Sequence, residues 1–97
     1  MRLVAVWRPS ADRDLEEILA FIAKNSHGRF WSVLEEVVDR IQDFPEAYQV
    51  LYEEKAVRRV RLKPFPYFLF YKIEGERIAI LALMGSRQDP ERWKERF

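Results

Sequence analysis

Residues 57–87 constrain this chain more than any other stretch, because they read as three consecutive strands with almost nothing between them. The first run, Val57-Arg58-Arg59-Val60-Arg61-Leu62-Lys63, alternates with a period of two. That period puts Arg59, Arg61 and Lys63 on one face and Val60 and Leu62 on the other. Residues 65–73 are almost wholly apolar, as in a central strand covered on both faces, and Glu74-Gly75-Glu76 supplies the turn after them. Residues 78–84 are again apolar on both faces. Simple hairpins then bring Gly85-Ser86-Arg87-Gln88-Asp89-Pro90 to the sheet edge, beside the cationic face.

The remaining segments build around that sheet. Residues 3–7 alternate weakly and read as a short strand, closed by Arg8-Pro9-Ser10. Ser10 is the expected N-cap of a helix over 11–24, with Asp12 and Asp14 in its first turn and Leu15, Ile18, Leu19 and Ile22 on one side. After a turn at Asn25-Ser26-His27-Gly28, a second helix is expected from Arg29 through Phe30, Leu34, Val37, Val38 and Ile41, until Pro45 forbids continuation. Residues 46–55 show no decisive period and are read as irregular. Pro90 opens a last, short helix with Trp93 and Phe97 four apart, too short to persist without packing. The expected architecture is α+β, β-α-α-β-β-β with a short C-terminal helix. The helical hairpin crosses one face of a mostly antiparallel sheet, and the other face is left to the cations.

Ninety-seven residues make one domain, 1–97, with a single modest core. With no cysteine, neither a disulfide framework nor a thiolate metal site is possible, and no other ligand cluster stands out, so neither metal nor cofactor is expected. The apolar run at the start is too short for a signal peptide, no membrane-spanning segment is visible, and the cytoplasm is the expected location. The net charge of +1 conceals an asymmetry: residues 1–55 carry 7 Lys/Arg against 11 Asp/Glu, whereas residues 56–97 carry 10 against 5. A basic sheet half attracts phosphate backbones or an acidic protein, although the same residues also suit a merely solvated strand face.

In order and spacing, several segments resemble the RelE/ParE toxin superfamily of bacterial type II toxin–antitoxin systems. They are Ala11-x-x-Asp14-Leu15-x-x-Ile18, Phe44-Pro45, Arg58-Arg59-Val60-Arg61-Leu62, Phe65-Pro66-Tyr67-Phe68-Leu69-Phe70-Tyr71 and Arg87-x-Asp89-Pro90-x-x-Trp93. The resemblance implies a growth-inhibiting toxin neutralised by a cognate antitoxin that wraps over it. RelE-like members cut messenger RNA on the ribosome with basic residues of the sheet, a late arginine and a tyrosine or histidine near the C-terminus. ParE-like members keep the fold, lack that set and poison DNA gyrase. Here Arg59, Arg61 and Lys63 match the sheet cations and Arg87 the late arginine, so a phosphate has donors that could hold it. Trp93 falls near the catalytic tyrosine's place, and an indole can stack on a base but cannot exchange a proton near neutrality.

The expected target-binding set is therefore Arg59, Arg61, Lys63, Arg87 and Trp93, and the same four cations are the catalytic candidates if the chain is a ribonuclease. Trp7, Tyr48, Leu51, Tyr52 and Phe97 lack an obvious core position and are expected beneath the antitoxin. His27 reads as a solvated loop residue, Tyr67 and Tyr71 as core tyrosines with satisfied hydroxyls, and Glu53 and Glu54 as an exposed pair. Arg87 either pairs with Asp89 or faces a phosphate. The expected function is that of a toxin nearer the ParE branch, acting on gyrase. The alternatives are a ribosome-dependent messenger RNA endonuclease and a non-toxic module that only binds the antitoxin.

Overall fold

In the computed structural model, which describes residues 2–97, the chain begins with β1 (Val4–Trp7), α1 (Pro9–Phe21) and α2 (His27–Asp43). It continues through β2 (Val50–Tyr52), β3 (Val57–Arg61), β4 (Tyr67–Glu74) and β5 (Arg77–Gly85) to α3 (Pro90–Arg96). The strands form one sheet in the order β1-β5-β4-β3-β2. Consecutive strands from β2 onward pair antiparallel, as tight connections require, while β1 lies parallel to β5. β5 is consequently an interior strand, and the loop after it leaves from a strand end, not from the sheet edge. Residues 46–55, read as irregular, contribute the short β2, which pairs through Val50 with Arg58 and Tyr52 with Val57. Arg58 secures the loop before it by donating from one guanidinium nitrogen to the carbonyls of Glu46 (3.2 Å) and Tyr48 (2.8 Å).

Ser10 is not a helix cap. α1 starts two residues before the expected Ala11, at Pro9, whose ring presets the helical φ, and the capping position is Arg8 in an extended conformation. The Ser10 hydroxyl instead donates to Leu81 O at 3.0 Å, and Leu83 N–H donates to Asp14 Oδ2 at 3.0 Å. These bonds have a common cause. β1 pairs only with Arg77 to Ile80, and Arg8 N–H closes that pairing on Ile80 O at 2.9 Å. Beyond it β5 would carry unpaired backbone groups on that side, and two polar side chains of α1 take them over. Ala11, completely buried, presents only a methyl group at this helix–sheet contact.

The main core lies between the helical hairpin and the sheet. Phe30, Leu34, Val37 and Ile41 recur along one face of α2 and, with Ile18, meet Leu62, Leu69, Tyr71, Ile78 and Ile80. Phe30 stands edge-on to Phe65 and Tyr67, with centroids 5.1 and 6.2 Å away. Tyr71, wholly buried, donates its hydroxyl to Pro45 O at 2.6 Å.

The opposite face departs from expectation. It is not a field of cations: Val57, Phe70, Ala82 and Met84 form a second apolar cluster, closed by Trp93 from α3. The reason is that β4 is apolar on both sides, Phe68 and Phe70 alternating with Leu69 and Tyr71, so the second face also needs cover. α3 has seven residues and could not persist alone in water. It is held by Trp93, by Phe97 against Phe70 at 5.2 Å, and by Arg96, which reaches Asp14 at 3.0 Å.

Candidate functional site

The cations predicted for β3 lie at the margin of this second cluster. Arg59 and Arg61 leave the same side of the strand, Lys63 follows in the turn toward β4, and the three line one groove of about 570 Å³ with Tyr48, Phe68 and Arg40. The Arg59 guanidinium lies 4.4 Å from the Phe68 ring centroid and 5.4 Å from that of Trp93. Arg61 lies 5.7 Å from Phe68, and its Nε–H donates to Phe65 O at 3.3 Å. Aromatic faces attract and orient guanidinium groups without neutralising them. Among the described residues no carboxylate pairs with Arg59, Arg61 or Lys63; Glu36, on the groove wall, is taken by Arg40 at 3.2 Å. The groove therefore offers oriented, uncompensated positive charge, the condition for binding a phosphate or a carboxylate.

Arg87 is exposed on the loop after β5, where Ser86 N–H is tied to Pro66 O at 2.8 Å, and it is not among the residues that line the groove. Nor does it pair with Asp89, whose carboxylate accepts Glu91 N–H at 3.0 Å and caps α3. Of the four cations of the sequence reading, Arg59, Arg61 and Lys63 line the groove.

Trp93 requires a correction. It is only 3% exposed, packed edge-on against Phe68 at 5.6 Å and tilted against Phe70 at 5.5 Å, so it offers no free surface on which a base could stack. Helical spacing from Pro90 turns it inward, and its indole Nε1 is buried with no acceptor. The five residues expected beneath an antitoxin are all half-buried within the chain. Leu51, Tyr52 and Phe97 come together around a pocket of about 460 Å³ that Glu53, Glu54, Lys55 and Lys94 also line, and Tyr52 donates to Pro90 O at 3.3 Å. Tyr48 belongs to the cationic groove instead, and Trp7 packs against the main core.

The large apolar side chains that are exposed are others: Val4, Val6, Phe21, Trp31 and Phe44. Trp31 was legible, since it follows Phe30 directly and falls off the stripe formed by Phe30, Leu34, Val37 and Ile41. His27 opens α2, away from the groove, with its Nε2 buried and unpartnered. Glu53 and Glu54 are exposed in a 3-10 turn. Burial raises the phenol pKa of Tyr67 and pushes that of Tyr71 up to about 12. The described residues contain no His, Cys, Asp or Glu group able to hold a metal ion, and no helix long and apolar enough to cross a membrane.

A family model described as the ParE toxin of type II toxin–antitoxin systems, parDE, matches residues 5–90. The chain belongs to this family. Among solved structures, a chain from the chromosomal ParDE toxin–antitoxin system of P. aeruginosa superposes with a TM-score of 0.71 at 20% identity. The match covers 87% of this chain and 96% of that one, and it shows a common fold. No curated protein sequence matches. Within a ParE-family chain the segments that carried the resemblance acquire structural reasons: Ala11 and Ile18 are buried at the helix–sheet contact, Asp14 completes the β5 ladder, and Trp93 plugs the second core.

Proposed function

We propose that this type II toxin acts in the cytoplasm on DNA gyrase, meeting it through the groove of Arg59, Arg61 and Lys63, and that a cognate antitoxin neutralises it. The observation that carries the choice of gyrase is the state of residue 93. Cleavage through a 2′-hydroxyl needs groups to take and return a proton, each contributing roughly 10²–10⁴-fold, and the resemblance locates such a group where this chain has a buried indole. For the antitoxin, the pocket of Leu51, Tyr52 and Phe97 suits apolar side chains of a wrapping segment, with Glu53 and Glu54 as well as Lys55 and Lys94 among its lining to pair with that segment's charges.

One observation favours messenger RNA cleavage as a second reading: Tyr48, whose side chain carries a hydroxyl, lines the same groove as Arg59, Arg61 and Lys63. A supercoiling assay and a ribosome assay on one preparation of the chain separate the two. The gyrase reading expects supercoiling to fail with ribosome-bound messenger RNA intact, and Arg59→Ala to relieve the inhibition. Codon-specific cleavage that disappears in Tyr48→Phe or Arg87→Ala, with supercoiling untouched, would overturn it.

A further inference from the structure

A separate cavity of about 830 Å³ opens on the second sheet face, between the end of α3 and the start of α1. Five cations reach it from four segments: Arg8 and Arg13 around the start of α1, Lys55 just before β3, Lys72 of β4 and Arg96 of α3. Two carboxylates line it, Glu54 and Glu74. Glu74 is shared, with Arg8 at 2.8 Å and Lys72 at 3.2 Å, and these two cations hold its carboxyl below the usual carboxylate range. Arg96 is paired with Asp14 at 3.0 Å, whereas Arg13 and Lys55 meet no carboxylate within ion-pair distance among the described residues. Setting Glu54, Glu74 and Asp14 against the five cations leaves an excess of two positive charges around one cavity. Beside them, Val57, Leu81 and Phe97 give the lining an apolar part.

We infer that this cavity binds a nucleoside triphosphate, its phosphate chain among the cations and its base or sugar against Leu81 and Phe97. Three features select that ligand. The cations come from separate segments and converge on one cavity, which suits a compact polyanion better than an extended backbone whose charges are spread along a strand. A single carboxylate would satisfy one of them and leave the rest, whereas linked phosphates present many oxygens, and the planar guanidinium fork of Arg8, Arg13 and Arg96 matches phosphate geometry. The apolar part of the lining gives the uncharged half of the ligand a surface, in a volume within the range of roughly 300–1,000 Å³ usual for small-molecule sites. The inference does not depend on which target the groove of Arg59, Arg61 and Lys63 meets, since the two share no lining residue. It does share Glu54, Lys55 and Phe97 with the pocket assigned to the antitoxin, so the test uses the toxin chain alone.

The test is calorimetric titration of the full chain with ATP, inorganic tripolyphosphate, adenosine and a single-stranded DNA oligonucleotide, in magnesium-free buffer at about 0.15 M salt so that diffuse attraction is screened. The inference expects saturable one-to-one binding of ATP, roughly tenfold weaker binding of tripolyphosphate, which lacks the contact of the base, and none of adenosine. In the ¹⁵N-labelled chain ATP should shift the backbone amides of Arg13, Lys72 and Leu81 and leave those of Arg61 and Phe68 unmoved. The Arg13→Gln, Lys55→Gln double variant should bind ATP at least tenfold more weakly. A Lys24→Gln, Arg29→Gln variant, which removes the same charge elsewhere, should stay within twofold of the unaltered chain. All four residues are exposed, so both variants keep the core. Tripolyphosphate binding as tightly as ATP, the oligonucleotide binding more tightly, equal losses in the two double variants, shifts centred on Arg61, or no saturation would each overturn the inference.

Discussion

Replacing Tyr71 by Phe removes one oxygen atom, and its effect should change with pH in a way that only a buried, hydrogen-bonded phenol explains. Tyr71 is wholly buried, and its hydroxyl donates to Pro45 O at 2.6 Å, joining β4 to the segment that follows α2. Near pH 8 the variant should lose about 1–2 kcal/mol, the usual worth of such a bond when its acceptor is left unmatched. The alkaline range supplies the sharper test. Burial pushes the phenol up to about 12 in the folded chain, against about 10 in the unfolded one. The folded state therefore resists ionisation, so the contribution to stability is complete below pH 10 and is lost as pH rises from 10 through 12. With those two values the wild-type chain loses on the order of 1 kcal/mol by pH 11 relative to neutrality through this group alone. Tyr71→Phe cannot lose it. Urea unfolding of both chains from pH 8 to pH 11 cancels the titration they share. The gap between them should shrink from about 1–2 kcal/mol toward zero. A constant gap across that range would refute the reasoning.

Further substitutions probe the second core, the sheet edge and a strained residue, Ala56. Trp93→Ala should cost about 3–5 kcal/mol and free α3, read as a lower urea midpoint and as lost hydrogen-exchange protection over residues 90–96. Trp93→Phe, which also removes the unpartnered Nε1–H, should cost less than about 1.5 kcal/mol. Asp14→Ala should destabilise by about 2–3 kcal/mol, because Leu83 N–H loses its acceptor, and Arg96→Ala by less than about 1 kcal/mol; the reverse order in chemical denaturation would contradict the edge-capping role. Ala56 sits in the left-handed region at φ 54°, so Ala56→Gly should raise stability by roughly 0.5–1 kcal/mol, whereas a loss in thermal unfolding would show that its backbone is unstrained.

By itself the sequence determined the elements whose cause is local. Alternation at Val57 to Arg61 is enough to put Arg59 and Arg61 on one side of β3, and the three- and four-residue spacing of Phe30, Leu34, Val37 and Ile41 suffices to aim α2 at the core. Pro9, Pro45 and Pro90 mark boundaries because a missing N–H and a fixed φ act on their immediate neighbours. What only the tertiary structure decided depends on meetings between distant segments. Whether Ser10 caps a helix or Asp14 caps a strand turns on where β1 stops beside β5, since a hydroxyl or carboxylate takes whichever unpaired backbone group lies within reach. Trp93 is buried because α3 returns across the second face of the sheet, a contact that its own spacing could not specify. The three residues of β2 form a strand because β3 offers them an open edge. Periodicity sets the face a side chain takes on its own element, while its neighbours across the fold are set by the packing of all the elements together.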